Sequence, residues 1–142
     1  MTEARLAIRA AAAEIVDSAI GAEPALAGAR LVGIGWATVD LVRAERELGA
    51  ALGAPLETVS APRDPSLGAT VRVARSFEPG VALVLLEPDT EARLAALLAR
   101  HAEGVVAAYV RLGRRILRLE LTSGRGGPAP RAVAVHPPWA GG

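Results

Sequence analysis

The chain has 142 residues, enough for one domain with a real core and short for two, and 16 basic residues against 15 acidic leave a net charge of +1. That balance gives no reason to expect nucleic acid or an anionic membrane as a partner. Every basic residue is Arg, which excludes Schiff-base and P-loop lysine chemistry, and the absence of Cys removes thiol nucleophiles, disulfides and thiolate metal sites.

Hydrophobic residues make up 51% of the chain but aromatics only 3%, so the core must be built from Ala, Val, Leu and Ile. Glu3, Arg5, Arg9 and Glu14 interrupt any signal-peptide pattern at the N-terminus. No stretch reaches the roughly 18 apolar residues of a membrane span. A cytoplasmic location is expected.

Thr2 to Ile20 predicts a helix with Leu6, Ala10, Ala13 and Ile20 near one face, suited to packing or dimerisation. Gly21 to Pro24 ends it, and a loop runs to about Arg30. Leu31 to Val39 predicts a strand with two unequal faces. Gly33, Gly35, Ala37 and Val39 lie on one face, while Val32, Ile34, Trp36 and Thr38 lie on the other. The bare face marks either very close packing or a cavity. Asp40 then caps a helix carrying Leu41, Ala44, Leu48 and Leu52 at helical spacing, and Gly53 to Pro55 stops it.

Leu56 to Ser60 predicts a short edge strand between Pro55 and Pro62, followed by a loop from Ala61 to Gly68. Ala69 to Arg75 alternates as a strand, and Phe77 to Gly80 reads as a turn. Val81 to Leu86 is apolar on both faces and predicts a central strand. Asp89 or Thr90 caps a helix over Glu91–Arg100, His101 to Gly104 turns the chain, and Val105 to Leu112 is the next strand. Beyond the basic turn at Gly113 to Arg115, Ile116 to Thr122 alternates, with Leu117, Leu119 and Leu121 inward. Ser123 to Pro130 is a Gly/Pro loop, Arg131 to His136 a last strand, and Pro137 to Gly142 a tail. A single helix followed by a run of strands predicts an α+β fold, one curved sheet with helices on its outer face.

The polar residues admit plain and functional readings. Arg118 and Glu120 share a strand face. They either pair across an exposed sheet surface or face a cavity, where Arg118 holds a carboxylate or phosphate and Glu120 acts as a base. Arg72 reaches either solvent or the same cavity. His136 is a weak general-base candidate, His101 suits a helix C-terminus, and Glu87 reads as a turn residue. Trp36 reads as core, and Trp139 either contacts a partner or covers a sheet edge. No Ser–His–Asp pattern, Gly-rich phosphate loop or metal-spaced histidine pair is present.

Three segments resemble the vicinal oxygen chelate (glyoxalase/bleomycin-resistance) superfamily, in particular its methylmalonyl-CoA epimerase-like members. They are IGWATVDLVRAERELG (Ile34 to Gly49), VALVLLEPDTEARLAALLARHAEG (Val81 to Gly104) and AVAVHPPWAGG (Ala132 to Gly142). The resemblance implies a βαβββ glyoxalase-like module forming a cup, with residues 1–30 as an N-terminal helix and loop and 31–142 as one domain. Within it, 31–104 would be the first module with its linking helix and 105–142 an abbreviated second module. It also implies a homodimer.

In that family a divalent metal sits in the cup on His, Gln or Glu side chains. Its positions fall here at Gly33, Val84 and about Val106-Ala107, none of which can bind metal, with Glu120 the one candidate carboxylate. The metal is therefore read as lost, and no cofactor is expected. The resemblance then implies an apolar cup lined by Gly33, Gly35, Ala37, Arg72, Val84, Leu86, Val106 and Arg118, binding a hydrophobic acid, acyl thioester or natural product. One alternative is an isomerase, epimerase or lyase moving a proton beside a carbonyl through Glu120 or His136. The other is a non-catalytic interaction subunit with a filled cup.

Overall fold

In the computed structural model, which describes residues 2–89, 93–122 and 129–140, everything is arranged about one strand with two unlike neighbours. The chain enters it from α1 (Glu3–Ala22) and a short 3-10 turn at Pro24–Leu26. β1 (Arg30–Ala37) runs parallel to β4 (Val81–Pro88) on one side and antiparallel to β5 (Gly104–Leu112) on the other. β3 (Ala69–Glu78) and β2 (Val59–Asp64) continue the sheet beyond β4; β6 (Arg115–Glu120) and β7 (Arg131–Ala134) continue it beyond β5. The order β2-β3-β4-β1-β5-β6-β7 makes one mixed, strongly curled half-barrel, and the fold is α+β.

A parallel pair needs a crossover. Here α2 (Leu41–Leu52), β2 and β3 supply it between β1 and β4. Three carboxylates fix where α2 begins. Asp40 accepts the Arg43 N–H at 3.0 Å, Glu87 accepts the Leu41 N–H at 2.9 Å, and Glu103 accepts the Val39 N–H at 3.0 Å. Glu87 is thus more than a turn residue: it ties the end of β4 to the helix that follows β1. Gly53 closes α2 in the left-handed region (φ 84°), where a side chain would be strained.

Both faces of the sheet are covered. On one face, Ile8, Ala12, Ile15 and Ala19 of α1 and Leu48 and Leu52 of α2 pack on Ile34, Leu83, Leu85, Val110, Leu117 and Leu119. This face of α1 differs from the expected one, and Leu6 is 55% exposed. With alanine all round the helix, the two isoleucines seven residues apart decide which side is buried. On the other face, Leu94 and Leu97 of α3 (Arg93–His101) meet Leu67, Val71, Val73, Val84, Leu86, Val106 and Tyr109. Because neighbouring residues of β4 serve different clusters, all of Val81 to Leu86 is buried, as its unbroken apolar run predicts.

Several boundaries moved: β1 ends at Ala37, β6 spans Arg115–Glu120 and β7 ends at Ala134. β2 starts later than expected and carries Pro62 within it, tolerated because an edge strand need not donate every N–H. β3 runs on through Phe77 and Glu78, and the turn narrows to Pro79 and Gly80, whose φ of 77° closes the hairpin onto Val81. The predicted cap at Thr90, the helix start at Glu91, most of the Gly/Pro loop after Thr122 and the final two glycines lie outside the described residues. Among the described residues no helix is long and apolar enough to cross a membrane.

If α1 belongs to the core, Ile15→Ala will cost about 2–5 kcal/mol in urea unfolding, whereas Leu6→Ala will stay within about 0.5 kcal/mol. An Ile15→Ala loss as small as that of Leu6→Ala would make α1 an appendage.

Candidate functional site

The bare face of β1 turns toward α3, and aromatic side chains fill the space it leaves. A Cβ at Gly33 would lie 2.7 Å from the Trp139 ring, and one at Gly35 would lie 3.0 Å from Ala107 Cβ. The two rings meet edge to face, Tyr109 and Trp139 having centroids 5.6 Å apart and planes at 80°. Such a pair contributes about 0.5–1.5 kcal/mol beyond its buried area. Trp139 sits in a 3-10 turn (Pro138–Ala140), and its carbonyl accepts from Arg75 Nη2 at 2.8 Å. The C-terminal segment is thereby folded into the sheet rather than left as a free tail.

Arg118 and Glu120 lie on this same face, 1% and 2% exposed, which overturns the reading of an exposed strand surface. The alternation Ile116 to Leu121 suggested one wet face, but both faces of β6 are covered. The Leu117 and Leu119 face meets the α1 cluster, and the Arg118 and Glu120 face meets the turn between β2 and β3 and the start of α3. A buried guanidinium cannot shed its proton and must be paired. Arg118 Nε donates to Glu120 Oε2 at 2.9 Å, Nη1 to Asp64 Oδ2 at 2.5 Å, and Nη2 to Ser66 Oγ at 2.8 Å. The other Glu120 oxygen is held by Arg93.

The sequence brings Asp64 there through a turn of its own making. Its Oδ1 accepts the Leu67 N–H at 3.0 Å and the Ser66 hydroxyl at 2.8 Å, as Asp does when it nucleates a turn. The Leu67 carbonyl then accepts the Leu94 N–H at 3.0 Å, tying that turn to α3. Burial alone would raise the Asp64 carboxyl, but the Arg118 charge, the Leu67 N–H and the Ser66 hydroxyl together hold it below its ordinary value of 3.8.

A cavity of about 270 Å³ opens beside this cluster, lined by Tyr109, Arg118, Asp64, Ser66, Val71, His136 and prolines of the two flanking loops. Tyr109 Oη is buried and, among the described residues, has no hydrogen-bond partner of good geometry. Burial pushes this phenol up to about 12, with the nearby Arg118 charge pulling the other way. At neutral pH the hydroxyl is therefore a donor, and no base.

The site residues expected from sequence divide accordingly. Gly33, Gly35, Ala37, Val84, Leu86, Val106 and Arg118 lie on the α3-facing side of the sheet, but of these Arg118 alone lines the cavity; the small and apolar residues are covered by packing instead. Arg72 does not lie on that side: its side chain points to α2, where Nε donates to Glu45 and to the Thr58 hydroxyl, each at 2.8 Å. Val71 and Val73 take the other face, so strand alternation sends Arg72 away. Glu120 and His136 are not brought together either. His136 lines the Tyr109 cavity, whereas Glu120 lines a separate one beside Arg93, Arg100 and Arg131. His101 ends α3, and its buried Nε2 has no partner among the described residues.

Sequence reading passed over Tyr109, Asp64, Ser66 and Arg93. The lone tyrosine in an apolar strand was the available signal, since pairing of β5 with β1 sets Tyr109 opposite Gly33. The metal that the resemblance implies finds no ligand set among these groups. A divalent cation needs several converging N or O donors. Gly33, Val84 and Val106 offer none, and the Glu120 carboxylate is already held by two guanidiniums. These residues do not fit a metal, and among the described residues no cluster of three potential ligands occurs.

No protein-family model matches the chain, and no curated protein does. The chain is similar in fold to the crystal structure of hypothetical protein BH1468 from Bacillus halodurans C-125. The TM-score is 0.50 and the identity 16%, over 66% of this chain and 84% of that one.

The depressed Asp64 carboxyl gives a pH test with a defined sign. A group whose folded pKa is lowered stabilises above its unfolded value and loses that contribution as pH falls through the folded one. Wild type will therefore be more stable than Asp64→Asn at pH 7, and the gap will close as pH drops below about 4. A gap in urea midpoints that stays constant from pH 7 to pH 3 would remove Asp64 from the ionic cluster.

Proposed function

We propose that this is a glyoxalase-like small-molecule-binding protein that works without a metal, its ligand entering the cavity beside Tyr109. The observation that carries the reading is Tyr109 in the lining of a cavity, its buried hydroxyl without a hydrogen-bond partner of good geometry among the described residues. Leaving such a donor unpaired costs about 1–3 kcal/mol, which a bound carbonyl oxygen would recover. The order of elements supports the module. One strand, a helix and three strands are followed by a linking helix and an antiparallel, shortened second half.

The chemistry of the lining narrows the ligand class. Arg118 gives three of its five N–H donors to Glu120, Asp64 and Ser66, and the two carboxylates already balance its charge, so an incoming carboxylate gains little there. A neutral carbonyl compound, either the acyl end of a thioester or a small natural product, suits the phenol better than a free hydrophobic acid. At about 270 Å³ the cavity falls just below the roughly 300–1,000 Å³ of ligand pockets, which limits the ligand to a short acyl group.

An isomerase or lyase is less well supported, because a base and an acid must reach the same substrate. Glu120 is paired on both oxygens and lines a different cavity from His136. A homodimer remains part of the proposal, since β2 and β7 leave both sheet edges open to a second copy. Sedimentation equilibrium giving the monomer mass at micromolar concentration would remove the dimer.

Ligand-observed NMR against short-chain acyl thioesters, ketones and matched free acids tests the binding proposal. Carbonyl compounds should bind in preference to acids, and Tyr109→Phe should weaken them about tenfold, the worth of one buried hydrogen bond. The variant's urea midpoint should not fall, because no protein partner is lost. Equal binding to wild type and variant would take the hydroxyl out of the site. Absence of any binding across the series would favour a non-catalytic interaction subunit.

A further inference from the structure

A second site lies on the far side of Trp139. Arg30, Arg75 and Arg111, from β1, β3 and β5, line a cleft of about 450 Å³ with Val32, Val81 and the Trp139 ring, and no carboxylate lines it. Arg30 and Arg111 are direct partners across the antiparallel β1–β5 pair. Like charges placed opposite each other on neighbouring strands destabilise a sheet.

Several other arginines meet a carboxylate. Arg9 meets Glu78, Arg43 meets Glu47 and Glu103, Arg63 meets Asp89, Arg72 meets Glu45, and Arg118 meets Asp64 and Glu120. Arg75 has the neutral Trp139 carbonyl instead, and among the described residues neither Arg30 nor Arg111 forms an ion pair. Three exposed arginines lining one cleft, with no carboxylate among its lining residues, can receive an external anion.

We propose that this cleft binds a small polyanion of the phosphate or polycarboxylate class. Guanidinium forks take its oxygens, and Trp139 forms the apolar wall. The inference stands independently of the Tyr109 cavity, because it uses other side chains and an opposite ligand charge. Strands rather than loops carry the three arginines, so their backbone positions are set before the anion arrives.

Trp139 supplies the reporter. Trp36→Phe leaves it as the sole tryptophan, since the chain has two. Pyrophosphate and citrate, titrated separately at low ionic strength, should each or singly produce a saturable change in its fluorescence. Calorimetry on the unaltered chain gives the same reading if Trp36→Phe does not fold. Arg111→Gln should weaken the binding about tenfold or more, the scale of a lost charge-assisted hydrogen bond. Arg46→Gln removes the same charge from the exposed surface of α2 and should change the affinity less than about twofold. Saturation that is lost only with Arg111→Gln supports the site. No saturable binding of either anion overturns it, as does equal weakening by the two variants, which would reduce the effect to net charge.

Discussion

The structure depends on a missing side chain. The Trp139 ring lies 2.7 Å from where a Gly33 Cβ would be, and Tyr109 lies close on the neighbouring strand. β1 joins the two halves of the sheet, and its bareness lets large rings press directly on its backbone. Without that space the C-terminal segment would have no seat. The turn carrying Pro137 and Pro138 would then not wall the cavity, and Arg75 would lose the carbonyl it binds. A chain with so few aromatics has placed two of them at one point, where each large apolar surface covers most.

The second constraint is ionic. Taking Arg118 out of water is affordable only because three partners reach it at once, from β6 itself and from the turn after β2. That requirement links distant parts of the chain. Asp64 fixes the β2–β3 turn, the turn's Leu67 carbonyl meets Leu94 near the start of α3, and Arg93 returns to Glu120. A closed circuit of this kind specifies geometry more than it adds net stability. Exchanging the whole set for apolar residues could leave the fold as stable, whereas deleting one member strands the others.

Much of the architecture was legible in the sequence because its signals are local. Asp40 and Gly53 bound α2 at the expected residues, the unbroken Val81 to Leu86 run is the buried central strand, and the unequal faces of β1 mark where packing is closest. The parts that were misjudged depend on partners far along the chain. Arg118 and Glu120 look like a wet face until the β2–β3 turn and α3 are laid over them. Arg72 looks like a cup residue until Glu45 is seen to wait on the other side. The buried stripe of α1 was obscured by alanine, which suits either side of a helix equally well.

The absence of lysine shapes what the site can do. A buried lysine can drop its proton and stand neutral; an arginine cannot, so each one buried must bring an anion with it. Carboxylates near the Tyr109 cavity are consumed in this way: Asp64 by Arg118, and Glu120 by Arg118 and Arg93. A carboxylate so held is stabilised as its charged form and is a poor proton acceptor. The phenol in the cavity wall, raised to about 12, donates without ionising. Such a lining favours holding a polar, uncharged group over moving its proton. Arg30 and Arg111, which form no ion pair among the described residues, are exposed and line a separate cleft.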